Sequence, residues 1–373
     1  MPDRALLPPT VTFKPDTGYL DREWQGIPGI ERTGDGTLWA TWYSGGSGEG
    51  PDNYVLLVRS DDDGSSWTKP QFVIDPPEYV RAFDPCLWVD PHGTLWLFWA
   101  QEHIKWDGKA GVWALRNPHP RSKEGWSHPR RLCDGIMMNK PVATSNDRSW
   151  IYPATCWDRP PQTFHFADEI DLSVDAIRDR TTPVHIGRTP TSVYVSDDYG
   201  QSVTEVGGPQ VPAGVASAPE HMLVELQDGR LWMLIRTRYG IGESFSSDGG
   251  STWTPVQTSG LDHPTSRFFI RRLNSDSLLL VKHDSRTERT DLTAYVSRND
   301  GESWIGGFRI DTRDAVSYPD AIQAPDGLIY LIYDRDRKGA GDILMATFRE
   351  SDVEAGQAVS GDVRREQVIS TLG

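Results

Sequence analysis

One strand-forming signature recurs six times along the 373-residue chain, and no other feature limits its fold as tightly. Each copy is a turn followed by an apolar run rich in Leu, Trp and Tyr. The copies are Gly34-Asp35-Gly36-Thr37-Leu38-Trp39-Ala40, Pro91-His92-Gly93-Thr94-Leu95-Trp96-Leu97, Asn146-Asp147-Arg148-Ser149-Trp150-Ile151-Tyr152, Gln227-Asp228-Gly229-Arg230-Leu231-Trp232-Met233, Asn274-Ser275-Asp276-Ser277-Leu278-Leu279-Leu280 and Pro325-Asp326-Gly327-Leu328-Ile329-Tyr330-Leu331. Their third residues, at 36, 93, 148, 229, 276 and 327, are spaced by 57, 55, 81, 47 and 51 residues. A unit of roughly 50 residues has room for four short antiparallel strands and their turns, which is one blade of a β-propeller. Turn signals come too often for amphipathic helices to fit between them. The sequence therefore predicts an all-β chain, a single six-bladed β-propeller over residues 1–373. Its one long interval, rich in Pro, Asp and Arg, is read as a loop insertion around 157–191, expected to help wall a site on the propeller axis.

Composition agrees with a many-stranded protein: 35 Gly, 27 Pro and 15 Trp among the residues. The formal net charge of -15 opposes phosphate backbones and acidic lipid surfaces, so neither nucleic acid nor a membrane is an expected partner. No apolar run approaches the roughly 20 residues that span a bilayer. The N-terminus, Met1-Pro2-Asp3-Arg4-Ala5-Leu6-Leu7-Pro8-Pro9, has neither the apolar core nor the cleavage site of a secretion signal. Cys86, Cys133 and Cys156 form no Cys-x-x-Cys pair, and buried reduced thiols in a cytoplasmic protein are the expectation. His92, His103 and His221 lack metal-ligand spacing, and no Gly-rich phosphate loop or nucleophilic Ser elbow occurs. No metal and no cofactor are expected.

A second motif follows four of the repeats. Ser60-Asp61-Asp62-Asp63-Gly64-Ser65-Ser66-Trp67 and Ser246-Ser247-Asp248-Gly249-Gly250-Ser251-Thr252-Trp253 fit Ser-x-Asp-x-Gly-x-x-Trp in full. Ser297-Arg298-Asn299-Asp300-Gly301-Glu302-Ser303-Trp304 has Asn for the Asp, and Ser196-Asp197-Asp198-Tyr199-Gly200-Gln201-Ser202-Val203 has lost the Trp. Such a turn needs a carboxylate or amide to accept backbone N–H bonds, a Gly at positive φ and an aromatic to pack between blades. These are structural turns, expected at the blade periphery and away from any site.

Four such boxes in register with a six-fold strand repeat resemble the Asp-box (BNR) repeats of the sialidase superfamily, over residues from about 25 to about 350. The resemblance implies a sialidase-like propeller with its site on the axis and assigns roles residue by residue. Glu220 matches the acid that activates the nucleophile, and Arg236, sixteen residues on, matches a substrate-binding arginine. Arg289 is similar in position to another arm of a carboxylate clamp, preferred on spacing over Arg286 in the same loop. Two guanidinium forks on one carboxylate make a planar site that Lys does not reproduce. Tyr318, in Ser317-Tyr318-Pro319-Asp320, resembles the tyrosine nucleophile. At an anomeric carbon bearing a carboxylate, an anionic nucleophile is repelled, whereas a neutral phenol deprotonated by a neighbouring Glu attacks. The acid/base carboxylate of the family lies in the loop before the first box, where Glu49 and Asp52 are both candidates.

The sequence departs from the family at the Arg-Ile-Pro that supplies the first clamp arginine. Here the stretch is Trp24-Gln25-Gly26-Ile27-Pro28, with Gly26 at the arginine position. Loss of one charge-assisted contact to a carboxylate costs about 1.5–3 kcal/mol if nothing replaces it. Lys140, in Asn139-Lys140-Pro141, and Gln25 are the candidates for the open corner, with Asn139 as a further sugar contact and Trp157-Asp158-Arg159 beyond the third repeat. For each of these, interblade packing is an equal reading. The first expectation is an exo-glycosidase that removes a terminal, carboxylate-bearing sugar with retention through Tyr318. Two alternatives stay open: a polysaccharide lyase or differently specific glycosidase, with Tyr318 as acid/base and His221 contributing, and a silent carbohydrate-binding propeller. The oligomeric state is left open.

Overall fold

The repeated apolar runs become strands buried on both faces, as in Leu38–Ser44 and Leu95–His103, where nearly every residue is shielded. A sheet buried on both sides needs a neighbour against each face, and a ring of sheets provides that without an unpartnered end. The computed structural model describes residues 4–103, 110–145, 149–157 and 189–372. It is a six-bladed β-propeller, with five four-stranded antiparallel sheets and one of five strands. The first strands of blades 1 to 6 are Gln25–Arg32, Val80–Val89, Val142–Ala143, Met222–Glu225, Phe269–Arg272 and Val316–Gln323. Gln25–Arg32 contacts both Val80–Val89 and Val316–Gln323, so the ring closes between the first and last blades. Thr10–Phe13 pairs with Phe72–Asp75 and adds the fifth strand of blade 1.

The hydrophobic core is a series of layers between blades. One cluster joins Trp39 and Leu57 of blade 1 to Leu97 and Trp113 of blade 2, and another joins Ile30 and Val58 to Ile332 and Met345 of blade 6. Trp88 and Trp150 meet edge-to-face across blades 2 and 3 at 4.9 Å. Cys86, Cys133 and Cys156 are buried and in no disulfide.

All four boxes adopt one hydrogen-bond pattern at the turn between the third and fourth strands. Ser60 Oγ donates to Asp62 Oδ1 at 2.7 Å, the Gly64 amide donates to Ser60 Oγ at 2.9 Å, and the Ser66 amide donates to Asp62 Oδ1 at 2.8 Å. The pattern recurs at Ser196/Asp198, Ser246/Asp248 and Ser297/Asn299. Trp67, Trp253 and Trp304 are half-buried against interblade clusters. The turn residues of the third repeat, Asn146 to Arg148, and the insertion from 158 to 188, with Asp158 and Arg159, lie outside the described residues.

Candidate active site

In an antiparallel blade, first-strand starts, second-strand ends and the loops joining second and third strands share one face, and the boxes lie on the other. Three first strands carry the same local irregularity on the site face. Ile27, Asp84 and Tyr318 have φ of +57°, +46° and +54°, each precedes a proline, and each interrupts its strand pairing with a bulge. A non-Gly residue at positive φ is strained and persists where its surroundings dictate it. The bulge bends the strand and re-aims a side chain that regular alternation sends into the interblade layer. In blade 4, Ala218 at φ +44° precedes Pro219 and Glu220.

Tyr318 and Glu220 meet through this geometry. The buried phenol donates to Glu220 Oε1 at 2.8 Å, and Arg236, from the end of the second strand of blade 4, donates from Nη1 to the same oxygen at 2.6 Å and to the phenol oxygen at 3.2 Å. Glu220 Oε2 is buried without a partner among the described residues. Arg289, in the loop joining the second and third strands of blade 5, places its guanidinium carbon 5.5 Å from the Tyr318 ring centroid and donates to the Thr265 carbonyl at 3.3 Å. Its rival Arg286 is exposed and paired with Asp262 at 2.7 Å.

A third guanidinium completes the cluster, and sequence reading did not identify it. Arg337 follows the second strand of blade 6, with its guanidinium carbon 4.2 Å from the Tyr318 ring centroid. Its Nε donates to Asp334 Oδ2 at 2.8 Å and its Nη2 to Ser317 Oγ at 3.0 Å, while Ser317 Oγ donates to Asp334 Oδ1 at 2.6 Å. Nη1 has no hydrogen-bond partner among the described residues. A Cβ built at Gly26 would stand 2.7 Å from Arg337 Cδ and 2.9 Å from its Nε. The arginine stem therefore runs through the space that a side chain at 26 would need.

The structure gives the two candidates for the open corner, Lys140 and Gln25, and the further sugar-contact candidate Asn139 other partners. Lys140 is buried, donating to the carbonyls of Ile30 at 2.6 Å and Leu87 at 2.8 Å and pairing with Asp320 at 3.1 Å and Glu31 at 3.3 Å. Gln25 is fully buried, donating to the Gly341 carbonyl and accepting from Trp42 Nε1. Asn139 donates to the His221 carbonyl at 2.8 Å and accepts from Arg267 at 2.7 Å. Each satisfies buried polar groups between blades, a demand strong enough to fix its side chain away from Tyr318. His221 is buried against the Ser192 carbonyl, and burial pushes its imidazole down to about 4, so it is neutral at pH 7.

On the blade 1 and 2 side, Glu49 accepts from Tyr43 Oη at 3.0 Å, while Asp52 is exposed. Asp84 is buried, with Oδ1 unpartnered among the described residues, and faces Glu49, Glu220, Arg81 and Arg337 electrostatically. Burial first, then the charges of Glu49 and Glu220, push its carboxyl up to about 8. Arg81 is held by Glu102 at 2.6 Å and lies 3.7 Å above the Phe83 ring.

Burial and the Glu220 charge push the Tyr318 phenol up to about 12, against the opposing pull of Arg236, Arg289 and Arg337. The phenol is thus protonated at rest. Transfer of its proton to Glu220 would remove the anion that opposes ionisation and leave a phenolate among three guanidinium groups, an arrangement suited to a nucleophile formed on demand. No cluster of His, Cys, Asp and Glu fit for a metal ion occurs among the described residues.

The BNR repeat-like domain family model matches residues 36–331, well over half the chain. Among solved structures, the fold is similar to a Hadza microbial sialidase at 16% identity and TM-score 0.69, over 89% of this chain and 67% of that one. It is similar to the intramolecular trans-sialidase of Ruminococcus gnavus, solved with oseltamivir carboxylate, at 13% identity and TM-score 0.66, over 93% and 98% of the two chains. A Dyadobacter fermentans protein of unknown function matches at 18% identity and TM-score 0.64, over 91% and 97%. No curated protein sequence matches. At these identities the likeness establishes the fold.

Proposed function

The chain belongs to the BNR repeat-like domain family, and on that premise we propose that it is a sialidase-like exo-glycosidase, removing a terminal sugar with a carboxylate on its anomeric carbon. The observation that carries this reading is the set of three guanidinium groups, from Arg236, Arg289 and Arg337, around a phenol bonded to Glu220. Three cations around one buried tyrosine, one of them bonded to its hydroxyl, favour an anionic group beside the reacting atom. The same anion makes a neutral nucleophile preferable to a carboxylate. Tyr318 Oη attacks the anomeric carbon as its proton passes to Glu220 Oε1, a carboxyl on the same face protonates the departing oxygen, and water then releases the sugar with net retention. The guanidinium groups hold the carboxylate and stabilise negative charge at the phenol oxygen. The sialidase and trans-sialidase neighbours support a sugar as the partner.

The test is a screen of terminal acidic and neutral glycosides followed by proton NMR, run beside Tyr318→Phe. The expected result is cleavage of an acidic glycoside, first product in the substrate's anomeric configuration, and loss of about 10² or more in kcat in the variant. An unsaturated uronate product would establish a lyase instead. Cleavage of neutral glycosides alone would remove the anionic substrate from the reading.

A further inference from the structure

We propose that His263 and His283, a stacked pair of imidazoles beside the Arg289 loop, are positioning residues that aim this arginine, and that they do so only while neutral, so that the grip on an anion weakens in acid. The proposal rests on the reading above and adds the regulation of its site.

Arg289 is held less firmly than its two neighbours. Arg236 is fixed by Glu220 at 2.6 Å and Arg337 by Asp334 at 2.8 Å. Arg289 has no carboxylate partner among the described residues, and its one hydrogen bond there goes to the Thr265 carbonyl at 3.3 Å. Its charge is open to a ligand, but its aim depends on two segments: residues 284–291, which carry it, and residues 262–268, which carry Thr265.

A histidine fastens each segment. His283, at the end of the strand Leu278–His283, is fully buried, and its Nδ1 lies 3.0 Å from the carbonyl of Thr290, the residue after Arg289. His263 is buried, and its Nε2 lies 3.2 Å from the carbonyl of Ser266, the residue after Thr265. The rings stack with centroids 5.3 Å apart and planes inclined by 20°. Pairing between the first two strands of blade 5 ends at Phe269 and Val281, and beyond it the backbone amide of His283 donates to His263 Nδ1 at 3.3 Å. The His263 imidazole thus takes the place of a strand partner and ties the two segments together.

These contacts fix the protonation of both rings. A carbonyl only accepts, so His263 donates from Nε2 and His283 from Nδ1. His263 Nδ1 accepts an amide proton and cannot carry one of its own. His283 Nε2 is buried without a partner among the described residues, so a proton there would add an unpaired buried charge. The charged groups facing the pair are Arg236 of blade 4, Lys282 and Arg289 of blade 5 and the single carboxylate of Asp334 of blade 6, with Lys282 itself paired to Asp284 at 2.9 Å. Burial, and then neighbouring positive charge, pushes both imidazoles down, His283 to about 4. The fastened segments therefore bind fewer protons than opened ones. Their fastening is complete above the free imidazole value of about 6.5 and is lost as pH falls toward about 4, which frees Arg289 from its aim.

The test follows KM for 4-methylumbelliferyl N-acetylneuraminide from about pH 7 to about pH 4.5 in wild type, in His283→Ala and in His263→Gln combined with His283→Asn. The amides of the double variant supply donors to both carbonyls and do not titrate. Wild type is expected to show a KM that rises about tenfold toward acid, His283→Ala a KM raised by that factor at every pH, and the double variant a low, flat KM. A merely structural pair would change Tm and leave the slope of KM against pH as in wild type. That slope in the double variant overturns the proposal, and it decides alone if His283→Ala does not fold. An unchanged KM in a folded His283→Ala overturns it as well. Amide hydrogen exchange over residues 282–292, read by mass spectrometry at pH 7, needs no substrate. Exchange is expected to quicken in His283→Ala and to return toward wild type in the double variant. Equal exchange in all three proteins overturns the proposal even if wild type does not cleave the probe, an outcome that by itself counts against the acidic-sugar reading.

Discussion

Gly26 decides which arginines surround Tyr318. With hydrogen in place of a side chain, it admits the stem of Arg337, and Asp334 and Ser317 then fix the guanidinium. The backbone amide of Ile27 also donates to Asp334 Oδ2 at 2.7 Å, tying the Gly26 turn to the carboxylate that holds Arg337. The missing arginine of blade 1 and the arginine of blade 6 are thus alternative occupants of one corner. This predicts coupling between the two positions. Arg337→Ala is expected to raise KM for an acidic glycoside and to lower kcat/KM about 10- to 100-fold, the worth of one charge-assisted contact. Gly26→Arg in the wild-type background is expected to be harmful, because its Cβ meets the Arg337 stem. Gly26→Arg with Arg337→Ala is expected to recover part of the loss. Steady-state kinetics on the four proteins of the cycle read the coupling directly. Additive effects would mean that the two residues serve different ends.

At the level of the element, the boxes were legible because their chemistry is local: Ser, Asp and Gly sit within five residues and bond one another. Tyr318, Glu220, Arg236 and Arg289 were singled out by the resemblance of short stretches within single blades, and the structure brings them together. Arg337 was not, since its place depends on Gly26, more than three hundred residues away in sequence. Asp84 had a signal, because Phe83-Asp84-Pro85 repeats the residue-before-proline pattern of Tyr318-Pro319 and Ile27-Pro28, and that pattern marks the bulged strands. Lys140 stayed between two readings because a lysine near the axis suits a sugar or a buried ion pair alike, and only the carbonyls of Ile30 and Leu87 decide between them. The boxes also carry a pH prediction. Their hydrogen bonds hold Asp62, Asp198 and Asp248 down to about 2. Each stabilises the fold fully above the unfolded value near 4 and loses that contribution as pH falls toward 2. Asp62→Ala with Asp248→Ala is therefore expected to lower Tm at pH 7, to narrow the Tm difference from wild type toward pH 2, and to leave kcat unchanged, because the boxes face away from the site. Calorimetry across that range, with activity at pH 7, checks all three. A fall in kcat at unchanged Tm would place the boxes in the site's machinery.

Across the whole molecule, the site is assembled from blades 1, 2, 4, 5 and 6, each supplying one or two groups at the same end of the ring. The buried ion pairs of Lys140 with Glu31 and Asp320, and of Arg267 with Asp320, link blades 1, 3, 5 and 6 near the axis and help hold the ring that keeps those groups in register. The central claim is that this ring presents the Tyr318 phenol as a nucleophile to an anomeric carbon bearing a carboxylate. The most direct measurement is intact-protein and peptide mass spectrometry after incubation with 2,3-difluoro-N-acetylneuraminic acid, whose fluorines slow release of the glycosyl-enzyme. The account predicts one added sugar, located on the peptide containing Tyr318, absent in Tyr318→Phe and suppressed in Glu220→Gln. An adduct on a carboxylate peptide instead, or turnover of acidic glycosides by Tyr318→Phe at the wild-type rate, would contradict it.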